Sequence, residues 1–260
     1  MENNSEWITG QIKLSIGGVP LEMEMTVPAK PVKPQRMLPI FQQMTNSFVE
    51  MGVKTVEAGG AQISCKAGCG ACCRQAVPLA EIEAYQIAAL VAAMPEPRRS
   101  EIKARFEKAA AHFAEIGWFE RLTQCVGQSQ EAQEKVILEY FYEGVACPFL
   151  IDDSCSIHPD RPLVCREYLV TSPAENCASP SAAGVKLIEL PANPSKTVRK
   201  LGHAKPLAGV DFIPLVLALK WTEQRRDEFP EKTGERWMAD FFQMLTRSAI
   251  PEEKNKKTKS

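Results

Sequence analysis

The chain has 260 residues, of which 45% are hydrophobic and 24% are charged, and these are ordinary values for a soluble globular protein. The formal net charge of −1 at pH 7 argues against a broad nucleic-acid-binding surface. No segment approaches the roughly 18 consecutive apolar residues that a membrane-spanning helix needs. The first residues lack the basic and apolar regions of a secretory signal. We therefore expect a cytoplasmic protein with neither nucleic acid nor membrane as a partner.

Alternating residues near the N-terminus predict a β-hairpin. Apolar and polar side chains alternate over residues 12–16 and again over residues 21–27, and Gly17-Gly18 between them allows a tight turn. Prolines at positions 28, 31 and 34 then indicate a short, stiff linker. We expect residues 1–34 to form this hairpin and linker.

The rest of the chain shows mostly helical spacing. A helix is predicted over residues 37–53, weakened near its end by Gly52, followed by a loop. Three further apolar stripes predict helices that end near Pro95, Gly117 and Gly144, and Trp237 belongs to a final amphipathic helix. Two short strands are expected around an Asp152-Asp153 turn, a short helix at Cys165, and another strand over residues 186–190.

Cysteine is the most informative residue type in this chain. Eight of the nine cysteines fall into two groups about seventy residues apart. The first group is Cys65, Cys69, Cys72 and Cys73, and the second is Cys147, Cys155, Cys165 and Cys177. In a reducing cytosol such groups are better explained as metal ligands than as disulfides. Thiolate is a strong ligand for both zinc and iron-sulfur clusters.

The spacing leaves the metal open. Cys65, Cys69 and Cys72 are separated by the short intervals typical of tetrahedral zinc, whereas the adjacent Cys73 points elsewhere and suits another role or another ion. Neither group alone forms an evident complete site, so we expect helices between the groups to bring all eight sulfurs into one pocket. Basic residues beside the thiols are expected to offset their charge; they are Lys66, Arg74, Arg161 and Arg166.

Two other interpretations of the first group are less well supported. The Cys-x3-Cys-x2-Cys spacing matches that of radical S-adenosylmethionine enzymes, but Ala71 stands where those enzymes usually have an aromatic residue, and no strand-helix repeat follows. Cys69-Gly-Ala-Cys72 has the spacing of a redox dithiol but lacks the strand-then-helix context. Cys125 stands apart and is expected to pack as a small hydrophobic residue. His158 is a candidate ligand, although a surface role is the simpler interpretation.

The full pattern resembles the YkgJ-type cysteine-cluster family, described as a zinc- or iron-chelating domain. The match comprises the eight grouped cysteines together with Arg161, Pro162 and Arg166, within about residues 60 to 180. The resemblance implies that these cysteines hold the metal. His158 stands where the family usually has a tyrosine. Some family members are labelled flagellin lysine N-methylases, but the chain shows no convincing S-adenosylmethionine motif.

The sequence thus predicts a mostly helical α+β protein with small β-hairpins, organised around a polycysteine metal centre. We expect a cysteine-cluster helical domain over residues 35–250 and a disordered basic tail over residues 251–260. The expected function is the binding of zinc or iron by the eight cysteines. The iron option includes an iron-sulfur cluster. The alternative is an iron- or iron-sulfur-dependent enzyme that modifies a protein substrate. Asp152, Asp153 and Glu167 lie near the thiols, but the Asp pair is explained by a turn.

Overall fold

The computed structural model describes residues 6–16, 19–180, 184–202 and 205–249. The helices are α1 (Leu38–Ala58), α2 (Glu81–Ala92), α3 (Arg98–Glu115), α4 (Trp118–Gln124), α5 (Gln130–Tyr142), α6 (Leu163–Glu167), α7 (Ala174–Ala178), α8 (Pro194–Arg199), α9 (Ala218–Glu223) and α10 (Gly234–Ala249). The strands are β1 (Trp7–Ile16), β2 (Val19–Pro28), β3 (Pro78–Leu79), β4 (Leu150–Ile151), β5 (Ser154–Cys155) and β6 (Ile213–Pro214). These strands form antiparallel pairs, so the fold is mostly helical α+β, as the sequence predicts.

The predicted N-terminal hairpin is confirmed as β1 and β2. The two strands pair from Trp7 opposite Pro28 to Ile16 opposite Val19. The predicted Gly17-Gly18 turn lies outside the described residues, and so does the basic tail. Ile16 and Val27 are buried in a first core cluster, which also contains residues of α1 and α10, so this face of the hairpin is part of the hydrophobic core.

The first core cluster is centred on aromatic residues of α1 and α10. Phe41 and Phe241 are fully buried, and their rings stack with centroids 4.9 Å apart. Helix α1 is longer than predicted and continues to Ala58. Gly52 lies inside it because a side chain there would not fit: a Cβ atom would approach Leu190 to 2.8 Å and the Glu189 carbonyl oxygen to 2.9 Å.

A second core cluster lies between α2, α3 and α9 and the paired strands β3 and β6. It includes Phe106, Phe149 and Trp221, and Cys147 and Cys155 pack against it. A third cluster packs the end of α3 against α4 and α5. The rings of Phe113 and Tyr140 stack there with centroids 3.8 Å apart. The second cluster therefore provides the apolar support for part of the second cysteine group.

One sequence prediction needs correction, and several short helices were not predicted. Helix α4 was not predicted, because it is short and follows Gly117, whose φ of 66° begins it directly after α3. The strand expected over residues 186–190 is wrong: Leu187 forms only an isolated bridge with Val170. The short strands around Asp152-Asp153, the helix at Cys165 and the final helix are confirmed.

None of the helices in the described ranges has the length and apolarity that a membrane crossing requires.

Candidate metal centre

The first cysteine group lies on a tightly turned loop between α1 and β3. The Cys69 amide donates to the Lys66 carbonyl oxygen at 3.2 Å, and the Cys73 amide donates to the Gly70 carbonyl oxygen at 3.0 Å. Residues Ala71–Arg74 form a single 3-10 turn. Successive short turns keep the four thiols of this loop within one small region of the surface.

The second group is held against this loop by the backbone. The Cys147 amide donates to the Cys73 carbonyl oxygen at 2.7 Å. Cys155 follows on β5, opposite Leu150 of β4. Gly70 lies so close to this hairpin that a Cβ atom there would be 2.8 Å from a Leu150 methyl carbon and 3.0 Å from an Asp153 carboxylate oxygen. A glycine at position 70 thus allows the hairpin to pack directly on the first cysteine loop.

Helices α6 and α7 bring the remaining two cysteines to the loop. Cys165 is on α6, and Cys177 is on α7, which packs against the 3-10 turn Ala71–Arg74. The segment between these helices is fastened to the start of the loop: the Ser64 amide donates to the Val170 carbonyl oxygen at 2.9 Å, and its hydroxyl donates to the Thr171 carbonyl oxygen at 3.2 Å. Residues far apart in sequence therefore meet around the first cysteine group.

The electrostatic environment places Cys72 among the other thiols. A hydrogen bond with Cys73 and then burial raise the Cys72 pKa. Burial raises the Cys165 pKa well above its ordinary value, and Cys147 and Cys72 raise it further. Burial, followed by the charge of Cys155, raises the Cys147 pKa to about 12. Burial consequently favours the neutral form of the Cys72, Cys147 and Cys165 thiols.

Cys177 belongs to the same environment. Burial raises its pKa, and the next contributions come from Cys65, Cys72 and Cys69. Cys72 therefore influences thiols of both groups, and Cys177 joins the first group although it comes last in sequence.

The comparison with protein families gives one match. Residues 64–182 match the model of the CxxCxxCC family, described as a "Putative zinc- or iron-chelating domain". The comparisons with curated proteins and with solved structures gave no match. The resemblance drawn from the sequence is confirmed, and the matched segment spans both cysteine groups of the chelating domain.

The thiols of the chelating domain share a region without reaching ligand geometry. All eight grouped cysteines lie in the described ranges, and within those ranges no three histidine, cysteine, aspartate or glutamate side chains are arranged to hold a metal ion. The donor chemistry nevertheless fits a thiophilic cation, because a positive ion would stabilise thiolates that burial and neighbouring thiols disfavour. The eight-cysteine ligand set remains a prediction.

The basic residues beside the thiols have different roles. Arg161 lowers the pKa of Cys65, Cys72 and Cys155, in each case as a smaller effect than burial. Arg166 is buried and structural: its guanidinium donates to the Arg161 and Pro159 carbonyl oxygens and to Asn46 Oδ1. Arg161 is therefore the cation that offsets thiolate charge, whereas Arg166 fixes the turn that precedes Cys165.

Two further groups near the thiols have simpler roles. His158 is exposed, and the charge of Arg161, followed by burial, lowers its pKa. Asp152 and Asp153 adopt φ angles of 48° and 52°, so they form the predicted turn between β4 and β5.

Tyr168 is a neighbour of the thiols that the sequence did not reveal. Its hydroxyl oxygen accepts a hydrogen bond from Gln75 Nε2 at 2.9 Å, and the hydroxyl also bonds to Cys177, which lowers the Cys177 pKa. A donor to a sulfur tunes and orients a potential ligand. The only signal for it in the sequence was its position three residues after Cys165.

Cys125 is separate from the centre. It is buried in the third core cluster, and its sulfur donates to the Leu122 carbonyl oxygen at 3.1 Å. Burial alone raises its pKa, without a contribution from another thiol. It packs as a small hydrophobic residue, as the sequence predicts.

Proposed function

We propose that this protein binds zinc or iron through its eight grouped cysteines. One observation carries the proposal: the first cysteine loop is hydrogen-bonded to Cys147 and to the segment between α6 and α7, and these two helices carry Cys165 and Cys177. The match of residues 64–182 to the model of a zinc- or iron-chelating domain supports it independently. Bound metal would replace the protons on these thiols and join the segments into one unit.

The protein side of this centre is already partly organised. Backbone hydrogen bonds join the first loop to the segment before the β4–β5 hairpin and to the α6–α7 segment. Arg161 and Tyr168 would offset and tune the thiolate charge. A reducing compartment, the cytoplasm, suits the free thiol state of all nine cysteines.

Elemental analysis of protein purified without oxygen, together with its optical spectrum, tests the proposal. Zinc gives a colourless protein, whereas an iron-sulfur cluster absorbs in the visible and bleaches on reduction. We expect zinc or iron in at least equimolar amount. A folded protein without either metal, in which all eight thiols react freely with a thiol reagent, would contradict the proposal.

A further inference from the structure

A cavity lined by none of the grouped cysteines lies at the start of α2 and the end of α9. Its volume is about 350 Å³, within the range of small-molecule sites. Three aromatic side chains line it, Tyr85, Trp221 and Phe229. The Tyr85 ring is inclined at 67° to Trp221 and at 82° to Phe229, with centroids 5.6 Å and 6.5 Å apart. The three rings thus present differently oriented walls.

One acidic side chain lines the buried part of this cavity. Glu81, the first residue of α2, is only 3% exposed and lines the cavity beside the rings. Gly202 packs against it: a Cβ atom at position 202 would lie 3.1 Å from a Glu81 carboxylate oxygen and 3.3 Å from the Phe229 ring. The other charged lining residues, including Arg225 and Glu228, are exposed at the rim. The interior therefore combines aromatic surface with a carboxylate.

A cation already lies on one of these rings. The guanidinium carbon of Arg225 is 5.0 Å from the Trp221 ring centroid, which is the geometry of a cation–π contact. The Tyr85 hydroxyl donates to the Arg226 carbonyl oxygen at 2.9 Å and so fixes the tyrosine ring at the cavity wall. The hydrogen bond of Tyr85 thus fixes one ring of the aromatic wall, and the Arg225 contact shows that a cation packs on another.

We propose that this cavity binds a small alkylammonium cation, with the ammonium group between the aromatic rings and Glu81. Aromatic rings and a carboxylate around one cavity are the features that recognise quaternary ammonium groups. The exposed Arg225 side chain at the rim competes for the Trp221 ring. The proposal is independent of the metal centre, because the cavity lining includes none of the grouped cysteines.

Calorimetric titration of the full chain with choline tests the proposal, and the neutral isostere 3,3-dimethyl-1-butanol provides the comparison. We expect saturable binding of choline and binding of the alcohol weaker by at least about tenfold, because the alcohol lacks the charge that the rings and Glu81 attract. This comparison uses the unmutated protein and needs no variant to fold. Absence of saturable choline binding, or equal binding of the two compounds, would overturn the proposal.

Variants then locate the site. Glu81→Gln should weaken choline binding about tenfold, since it removes a charged partner and keeps the shape of the side chain. Glu101→Gln is the matched control, because Glu101 is an exposed glutamate in the first turn of α3. Arg225→Gln should bind choline at least as tightly as the unmutated protein. Equal losses in the two glutamate variants, or weaker binding by Arg225→Gln, would show that the cavity does not select a cation.

Discussion

Cys125 and Cys177 are a matched pair of buried cysteines with different surroundings. They are 6% and 4% exposed, respectively. Cys125 contacts an apolar cluster, whereas Cys177 faces other thiols. The exposed fraction therefore does not distinguish the roles of Cys125 and Cys177, whereas the groups around each sulfur do.

Serine substitution at Cys125 and Cys177 distinguishes a metal-ligating cysteine from a cysteine that packs in the core. We expect Cys177→Ser to lose bound metal, because a hydroxyl is a poor replacement for a thiolate ligand. Cys125→Ser should keep the full metal content and lose only about 1 kcal/mol in free energy of unfolding, since the new hydroxyl can still donate to Leu122. Metal analysis and denaturant titration of both variants measure these effects. Equal metal loss in the two variants would show that the cysteines have been divided wrongly.

Glu83 is the buried carboxylate with the clearest pH signature. Its oxygens accept hydrogen bonds from the backbone amides of Ala80 and Leu163, at 2.9 Å and 2.8 Å, so it joins the start of α2 to the start of α6. Burial nevertheless raises its pKa from 4.5 to about 7. The folded protein thus holds this proton more tightly than the unfolded chain does.

The sign of the pH effect follows from that difference. Between pH 4.5 and about 7 the folded state binds more protons at Glu83 than the unfolded state, so stability from this residue falls as the pH rises and is constant above that interval. Glu83→Gln should remove this slope, which denaturant titrations across the interval measure. Glu101→Gln, on an exposed site, is the control. An unchanged slope in Glu83→Gln would mean that the carboxyl titrates normally.

At the scale of elements, the contact between the first cysteine loop and the β4–β5 hairpin depends on Gly70. A methyl group at this position would meet Leu150, the Asp153 side chain and the Asp153 backbone at 2.8 to 3.2 Å. The backbone atom cannot move without displacing the turn of the hairpin. Overpacking of this kind typically costs about 1–3 kcal/mol.

We therefore expect Gly70→Ala to lower both the free energy of unfolding and the affinity for metal, because the hairpin carries Cys155. Gly10→Ala in β1 is the control: nothing lies within 4 Å of a Cβ atom there, so stability and metal affinity should remain close to those of the unmutated protein. Thermal unfolding and competition with a chelator provide the two measurements. Normal metal affinity in Gly70→Ala would show that the hairpin is not part of the centre.

The elements that the sequence predicts are those with a strong local signal. Alternation over β1 and β2 and helical spacing along α3 and α10 each arise from one buried face, so a single stretch of sequence suffices. The region between residues 186 and 223 was harder to predict. Its short helices α8 and α9 are fixed by contacts with α2, α6 and α10, which are distant in sequence.

The candidate site likewise has a part that the sequence predicts and a part that it does not. Cysteine spacing identifies the two groups, because thiols at short intervals are typical of metal sites and are rarely needed for packing alone. Spacing contains no information about which group Cys177 joins, since α7 reaches the first loop only through the folded chain. Tyr168 and Gln75 meet across 93 residues, and no local pattern predicts such a contact.

At the scale of the whole molecule, the three core clusters differ in their relation to the cysteines. Cys147 and Cys155 pack against the second cluster, where Phe149 is 1% exposed and contacts Phe106 edge to face at 5.3 Å. Among the described residues, the first cluster contains and contacts none of the grouped cysteines. Phe241 of that cluster is fully buried and stacks on Phe41. Two equally buried phenylalanines thus lie at different distances from the centre.

Alanine substitution at these two phenylalanines tests whether metal affinity follows local packing or overall stability. Each variant should lose about 3–5 kcal/mol in free energy of unfolding, the usual cost of truncating a buried phenylalanine. Phe149→Ala should also release metal to a chelator more readily, because the segment that carries Cys147 and Cys155 loses its apolar support. Phe241→Ala should keep the metal affinity of the unmutated protein in its folded fraction. Chelator competition on folded protein, isolated by size-exclusion chromatography, makes the comparison. An equal loss of metal affinity in both variants would indicate that metal retention follows the stability of the whole fold and not the packing next to the cysteines.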